Sequence, residues 1–110
     1  MWNPIQAPEQ VEQIIARSHE TPQVIFKHST RCSISTVAKN RLERAYEPTP
    51  VQFHYLDLLA HRPVSNLIAE RFGVPHASPQ VLLIKNGKCV YDESHMGIRM
   101  DALLEQALKN

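Results

Sequence analysis

The sequence has few of the features that mark secreted, membrane-bound or nucleic-acid-binding proteins. It contains only two cysteines, Cys32 and Cys89, whereas a small secreted domain held together by disulfides would carry more. Its 12 basic and 11 acidic residues nearly cancel, so no field of one sign attracts nucleic acid or an anionic membrane. The longest apolar runs, such as residues 81–84, fall far short of the roughly 20 residues that a membrane-spanning helix needs. We therefore expect a cytoplasmic protein with two free thiols and no nucleic-acid or membrane partner.

The composition is that of one globular domain covering residues 1–110. Hydrophobic residues make up 43% of the chain, which is enough to build a core without disulfides or a structural metal. Residues 1–4 include no basic segment leading into an apolar stretch, so we expect no secretory signal. The six histidines form no cluster with metal-ligand spacing. We therefore predict no metal site and no tightly bound cofactor.

Hydrophobic periodicity predicts alternating helices and strands. The predicted strands cover residues 23–27, 51–55, 80–84 and 89–91, and the predicted helices begin at or after Pro8, Cys32, Pro63 and Gly97. Asn86-Gly87 has the residues of a type I′ turn, which makes the last two strands an antiparallel hairpin. The strand–helix–strand units predict parallel pairing of the other strands. This order predicts an α/β fold, a mixed four-stranded sheet flanked by helices on both faces.

Apolar residues at helical spacing predict which side chains are buried. The stripe on the second helix consists of Ile34, Val37, Ala38, Leu42 and Ala45. Met96 and Met100 are expected to fill gaps in the core, and Trp2 is expected to pack the N-terminal segment onto the domain.

Cys32 lies between a predicted buried strand and the first turn of a predicted helix. Ligand chemistry in open α/β sheets occurs at such strand ends, and the free N–H groups and dipole of a helix N-terminus favour an anion such as a thiolate. Arg31 adds a neighbouring cation. Ser35 stands three residues further on, where its hydroxyl could donate a hydrogen bond to the sulfur. This pattern predicts a reactive thiol, and the less favoured alternative is that Cys32 is an inert residue near a helix cap.

Ser78-Pro79 directly precedes the third predicted strand, a position that suits a cis peptide bond. In the predicted topology this loop lies beside the strand–helix junction that carries Cys32. A cis bond there would leave the preceding backbone groups free to pair with an extended thiol substrate. The simpler alternative is that Pro79 only ends a loop.

Together these residues resemble a known family. The strand–Cys-x-x-Ser–helix unit, the Ser-Pro-Gln start of a strand and the Asn-Gly hairpin resemble the thioredoxin fold. More specifically, Phe-Lys-His-Ser-Thr-Arg-Cys-Ser-Ile-Ser at residues 26–35, Ser-Pro-Gln-Val at 78–81 and Ser94-His95 resemble the YtxJ-type bacillithiol-system proteins, the monothiol bacilliredoxins. Better-studied members of that family carry Cys-Pro-Ile-Ser, whereas Ser33 stands here in place of the proline.

The resemblance implies a thioredoxin-like fold and a monothiol thiol–disulfide exchange enzyme. The Cys32 thiolate would attack the bacillithiol sulfur of a mixed disulfide on a client protein, with bacillithiol as co-substrate, and a second small thiol or a reductase would then clear Cys32. Cys32 and Ser35 are the predicted catalytic residues. The predicted substrate-binding residues are His28, Arg31, Ser33, Ser78 and Pro79, with Arg31 facing a carboxylate of the small thiol. His95 is a further candidate for the site.

Other functions fit the sequence less well. A Cys-x₅-Arg phosphate-binding loop is excluded because Ala38 stands at the arginine position, and a dithiol enzyme would need a cysteine where Ser35 stands. A [2Fe–2S] carrier resembling the monothiol glutaredoxins remains an alternative, although those proteins carry Cys-Gly-Phe-Ser. A redox-inert binding module of the same fold is the third possibility. Cys89 is expected near the sheet edge, away from Cys32, so a resolving role is not predicted.

Overall fold

A computed structural model describes residues 1–109 of the chain. Within these residues, five strands and four α-helices alternate, and a short 3₁₀ turn precedes the last helix. In chain order the elements are β1 (Trp2–Pro4), α1 (Pro8–Arg17), β2 (Gln23–His28), α2 (Ser33–Ala45), β3 (Gln52–Asp57), α3 (Arg62–Phe72), β4 (Gln80–Lys85), β5 (Lys88–Ser94), the 3₁₀ turn (His95–Gly97) and α4 (Met100–Leu108).

The strands form one mixed sheet in the order β1-β3-β2-β4-β5. The central strand β2 is parallel to β3 and antiparallel to β4, and the hairpin adds β5 at the edge. Side chains of α2 and α4 form a core on one face of the sheet, and those of α1 and α3 form a second core on the other face. The predicted mixed sheet with helices on both faces is therefore confirmed.

The sheet has one strand more than the four predicted, because the N-terminal residues Trp2–Pro4 pair in parallel with β3. Ile5 N donates to Tyr55 O at 2.8 Å, and the Trp2 ring stacks on Phe26 with 5.4 Å between the ring centroids. Three residues are too short to show an alternating pattern, and Pro4 provides no N–H for pairing. Contacts with β3 and the core define this strand, so the local sequence did not predict it. The predicted packing role of Trp2 is confirmed.

Two turns follow the predicted backbone chemistry. Asn86 and Gly87 have φ values of 53° and 79°, as a type I′ hairpin turn requires. The peptide bond between Ser78 and Pro79 is cis, as predicted.

The last two residues of β2 are polar, yet both are buried, and they lie on opposite faces of the sheet. Lys27 points into the layer under α3, where its Nζ donates to the backbone carbonyl of Ser65 at 3.0 Å. Burial lowers the pKa of Lys27 to about 8, because the charged form loses its hydration. His28 points to the other face, where its ring packs against Phe26.

We predict that Lys27→Met stabilises the protein at neutral pH, because it removes a buried cation. The pKa of Lys27 is about 8 in the folded protein and close to its ordinary 10.5 in the unfolded chain. Between these values the unfolded state binds more protons, so a rising pH stabilises the wild type but not the variant. Urea titrations should show the variant more stable at pH 7, by at most about 3 kcal/mol. The difference in stability between the variant and the wild type should narrow as the pH rises from about 8 to 10.5. A difference that does not depend on pH would contradict the lowered pKa of Lys27.

Candidate active site

Cys32 is the N-cap residue of α2, at the point where the chain leaves β2 and enters the helix. Its backbone is extended, with φ −108° and ψ 118°, and its side chain makes no capping hydrogen bond. Cys32 N donates to Ser29 O at 3.2 Å, and Cys32 O accepts from Thr36 N at 3.1 Å. These two bonds hold the turn and the start of the helix together. The thiol is free and half-buried, so it combines a fixed backbone with access to solvent.

Ser35 lies one turn further along α2 and is fully buried, because this side of the helix faces the sheet. Its Oγ accepts a hydrogen bond from Ser29 N at 3.1 Å and lies 2.6 Å from His28 Nδ1. The sequence indicated that this hydroxyl could donate to the Cys32 sulfur, and that bond stays a prediction. The two hydrogen-bond neighbours that the structure shows come from β2 and the turn that follows.

His28 ends β2 and is 5% exposed. Its ring lies between Phe26 and Tyr55, with centroid distances of 5.8 Å and 5.5 Å. Burial, assisted by the Lys39 cation, lowers the pKa of His28, so the ring is neutral at physiological pH. The Ser35 hydroxyl joins this ring to the first turn of α2. The predicted contact of His28 with substrate stays a prediction, and the structure shows its contact with Ser35.

The cis-proline loop reaches the same end of the sheet as Cys32. Gln80 pairs with Lys27 across the antiparallel β2–β4 ladder, which places Pro79 beside the end of β2. Pro79 is buried, and its carbonyl accepts from His95 N at 3.0 Å. The 3₁₀ turn that begins at His95 packs against α2. The cis-proline loop, the 3₁₀ turn and α2 are therefore neighbours at this end of the sheet. Ser78 Oγ in the loop is buried and has no hydrogen-bond partner among residues 1–109.

The remaining predicted site residues lie on the surface around Cys32. Arg31 and Ser33 flank it in sequence and are exposed, and His95 is exposed with a φ of 55°. Their predicted roles stay predictions, since the structure shows their positions but no ligand contact.

Cys89 lies at the opposite end of the molecule from Cys32. It pairs with Ile84 next to the hairpin turn, whereas Cys32 lies near the other end of β4. Its thiol is half-buried against the α1/α3 core and donates to Tyr91 O at 3.4 Å. Burial raises the pKa of this thiol. The structure therefore keeps the two sulfurs apart, in agreement with the expectation from sequence.

An apolar surface next to Cys32 was not predicted. Ile34 and Val37 are 45% and 46% exposed, and Met96 of the 3₁₀ turn is 62% exposed. The sequence assigned all three to the core, together with Ala45 at the end of α2, and this was wrong because all four are exposed. The buried side of α2 consists of Ser35, Ala38 and Leu42. Ile34 and Val37 lie beside this buried side and face solvent. Met100 is buried, as expected.

Among residues 1–109, no three His, Cys, Asp or Glu side chains come together in an arrangement that could hold a metal ion. Within the same residues, every helix is too short or too polar to cross a bilayer.

Comparison with solved structures defines the class of fold. A thioredoxin-fold protein provisionally described as an oxidoreductase is 28% identical to this chain, with a TM-score of 0.85, over 98% of this chain and 94% of the other. The thioredoxin Mala s 13 of Malassezia sympodialis is 17% identical, with a TM-score of 0.76, over 94% and 88% of the two chains. Fasciola hepatica thioredoxin is 21% identical, with a TM-score of 0.73, over 96% and 95%. The chain thus has a thioredoxin-like α/β fold.

The family follows from the sequence comparison. Residues 3–103 match the family described as monothiol bacilliredoxin BrxC. The chain belongs to this family, as its motifs predicted. Together, the family and the fold support a role in thiol redox chemistry.

We predict that iodoacetamide at pH 7 modifies Cys32 at least about tenfold faster than Cys89, because burial keeps Cys89 in the unreactive thiol form. Mass spectrometry of tryptic peptides 32–39 and 89–99 measures the two rates separately. In denaturant the two rates should converge, which serves as the control. Equal rates in the folded protein would show that the environments of the two thiols do not govern their reactivity.

The replacement of the usual proline by Ser33 should be structurally neutral. Ser33 is the first residue of α2, a position that accepts proline because its N–H has no partner within the helix. The extended backbone of Cys32 is close to the conformation that a following proline requires. We predict that Ser33→Pro raises stability by about 0.5–1 kcal/mol through the unfolded state. Denaturant titration measures this difference, and a loss of stability would show that the helix start differs from the one described.

Proposed function

We propose that the protein is a monothiol exchange enzyme of the bacterial cytoplasm, which removes bacillithiol, or a similar low-molecular-weight thiol, from mixed disulfides on protein cysteines. The observation that carries the proposal is the position of Cys32. It is a lone half-buried thiol at the start of a helix, and the cis-proline loop lies at the same end of the sheet. The membership of the chain in the monothiol bacilliredoxin family supports the choice of small thiol.

The reaction consists of two thiol–disulfide exchanges. In the first, the Cys32 thiolate attacks the sulfur of the small thiol in the mixed disulfide. The disulfide bond breaks, its electron pair leaves on the client sulfur, and that thiolate takes up a proton from solvent. Cys32 is then joined to the small thiol. In the second, the thiolate of another small-thiol molecule attacks the small-thiol sulfur on Cys32, which releases Cys32 as a thiolate and forms the small-thiol disulfide.

A client protein would be held by the loop before Pro79. The backbone N–H and C=O groups of Ala77 and Ser78 form no backbone hydrogen bonds within residues 1–109. An extended segment of the client can pair with them in the manner of an added strand. The exposed side chains of Ile34, Val37 and Met96 supply apolar contacts beside it.

The small thiol would be held by the residues next to Cys32. Arg31 is exposed and can form a bidentate pair with a carboxylate of the small thiol. Ser33 is exposed at the first position of the helix, where its hydroxyl and backbone N–H face the bound molecule. Bacillithiol carries carboxylates, so the same two residues would favour it over an uncharged thiol.

The cysteine arrangement accounts for a monothiol mechanism. Ser35 occupies the position at which a dithiol enzyme carries its second cysteine, and Cys89 lies at the other end of the sheet. Neither residue can displace the small thiol from Cys32 in the folded chain. The enzyme therefore depends on an external thiol or a reductase for its second step.

The test is release of the cap from a protein carrying bacillithiol on a single cysteine, followed by intact-mass spectrometry. We predict that Cys32→Ser abolishes release, because no nucleophile remains at the site, whereas the matched variant Cys89→Ser retains the wild-type rate. A parallel substrate capped with glutathione measures the preference for the small thiol. Release by Cys32→Ser at the wild-type rate would overturn the proposal.

A further inference from the structure

Ser35 Oγ has two hydrogen-bond neighbours, a backbone N–H that donates to it and a ring nitrogen whose role depends on whether it carries a proton. A hydroxyl donates one hydrogen bond and accepts up to two. One acceptor position is taken by Ser29 N–H at 3.1 Å, and the same oxygen lies 2.6 Å from His28 Nδ1. The direction of this second bond depends on the proton of the imidazole. The Ser35 hydroxyl donates to a bare Nδ1 and accepts from a protonated Nδ1.

The two directions leave the hydroxyl proton in different places. When Nδ1 is bare, the proton is used in the bond to His28. When His28 carries a proton on both nitrogens, Nδ1–H donates to Oγ, and the Ser35 O–H no longer points at the ring and can donate to another acceptor. Ser35 is fully buried, so an unpaired hydroxyl there is costly and seeks another acceptor.

We take the Cys32 sulfur to be that acceptor. Cys32 is the N-cap of α2 and Ser35 is its third helical residue, and an N-cap side chain can reach the third residue of its helix. The thiol is half-buried and makes no capping hydrogen bond, so it is free to rotate toward the hydroxyl. A thiolate would accept this bond more strongly than a thiol, because hydrogen bonds to an ionised acceptor are the stronger ones.

We propose that His28 is a positioning residue for Cys32 that acts through Ser35, with the imidazole proton directing the Ser35 hydroxyl away from the ring and onto the Cys32 thiolate. The inference rests on the proposed function, in which Cys32 is the nucleophile. While His28 is protonated, the outward hydroxyl stabilises Cys32 as an anion, the form that Cys32 takes before the first exchange and on its release in the second. No group is consumed, because the relay redirects hydrogen bonds and transfers no proton to Cys32 or to the substrate.

The charges around His28 help to determine the pH range in which its ring is protonated. Lys39 on α2 opposes the protonated ring, while Glu43 on α2 and Asp57 on β3 favour it. Lys39 and Glu43 are paired at 2.8 Å, and Glu43 offsets only a part of the effect of Lys39 on the ring. Burial remains the largest influence and lowers the pKa of His28 below its ordinary 6.5. The outward state of Ser35 is therefore populated on the acid side of neutrality.

The experiment is an NMR titration of the His28 ring in Cys89→Ser protein, with and without the additional change Cys32→Ser. Because coupling between two sites is reciprocal, a thiolate that is stabilised by protonated His28 must in turn stabilise that proton. We expect the His28 midpoint to be at least about 0.5 pH unit higher when Cys32 is present. The same midpoint in both proteins would overturn the proposal.

The role of Ser35 is tested by repeating this pair of titrations in a Ser35→Ala background. The shift should disappear there and persist with Ser35→Thr, which keeps the hydroxyl. A shift that survives in Ser35→Ala would show direct attraction between the imidazolium and the thiolate, and would overturn the relay. If Ser35→Ala does not fold, capping Cys32 with methyl methanethiosulfonate in otherwise unchanged protein must lower the midpoint.

The outcome is separable from that of the proposed function. If cap release depends on Cys32 while the His28 midpoint does not, only the relay is wrong. If the midpoint depends on Cys32 while Cys32→Ser still releases the cap, the exchange function is wrong and the coupling stands.

Discussion

The pairing of β2 with both of its neighbours is the constraint on which the site depends. β2 is buried along its whole length and pairs with β3 in parallel and with β4 in antiparallel register. Because β3 runs parallel to β2, the chain connects the end of β2 to the start of β3 through α2. The antiparallel partner begins at the same end, immediately after Pro79. A thiol and a cis-proline that are 47 positions apart in sequence thereby reach one surface.

The last two residues of β2 also attach the helices to the sheet. Lys27 donates to the backbone of α3 on one face, and His28 contacts Ser35 of α2 on the other. Buried polar groups must find partners, so each of these residues restricts where its helix can lie relative to the strand end. The buried His28 thus restricts where α2 starts, which is where Cys32 lies, while the buried Lys27 restricts the position of α3.

Local chemistry explains the features that were predictable. Asn86-Gly87 and Ser78-Pro79 restrict their own backbones, and the apolar pattern of residues 23–27 is visible without knowledge of the fold. Features set by distant contacts were missed. The strand Trp2–Pro4 exists because β3 offers it an open edge, and the exposure of Met96 depends on how the 3₁₀ turn packs against α2.

The sequence by itself determined the order of the four helices and of strands β2 to β5, the hairpin, the cis bond and the family, because each of these depends on residues that are neighbours in the chain or form one motif. Only the tertiary structure decided that Ser35 faces His28 and that Ile34 and Val37 face solvent. A helix presents every side chain at some angle, and the sequence pattern indicates the buried side only within a broad arc. The partner of a buried hydroxyl is chosen by the strand beneath it, and that strand takes its place only when the sheet is assembled.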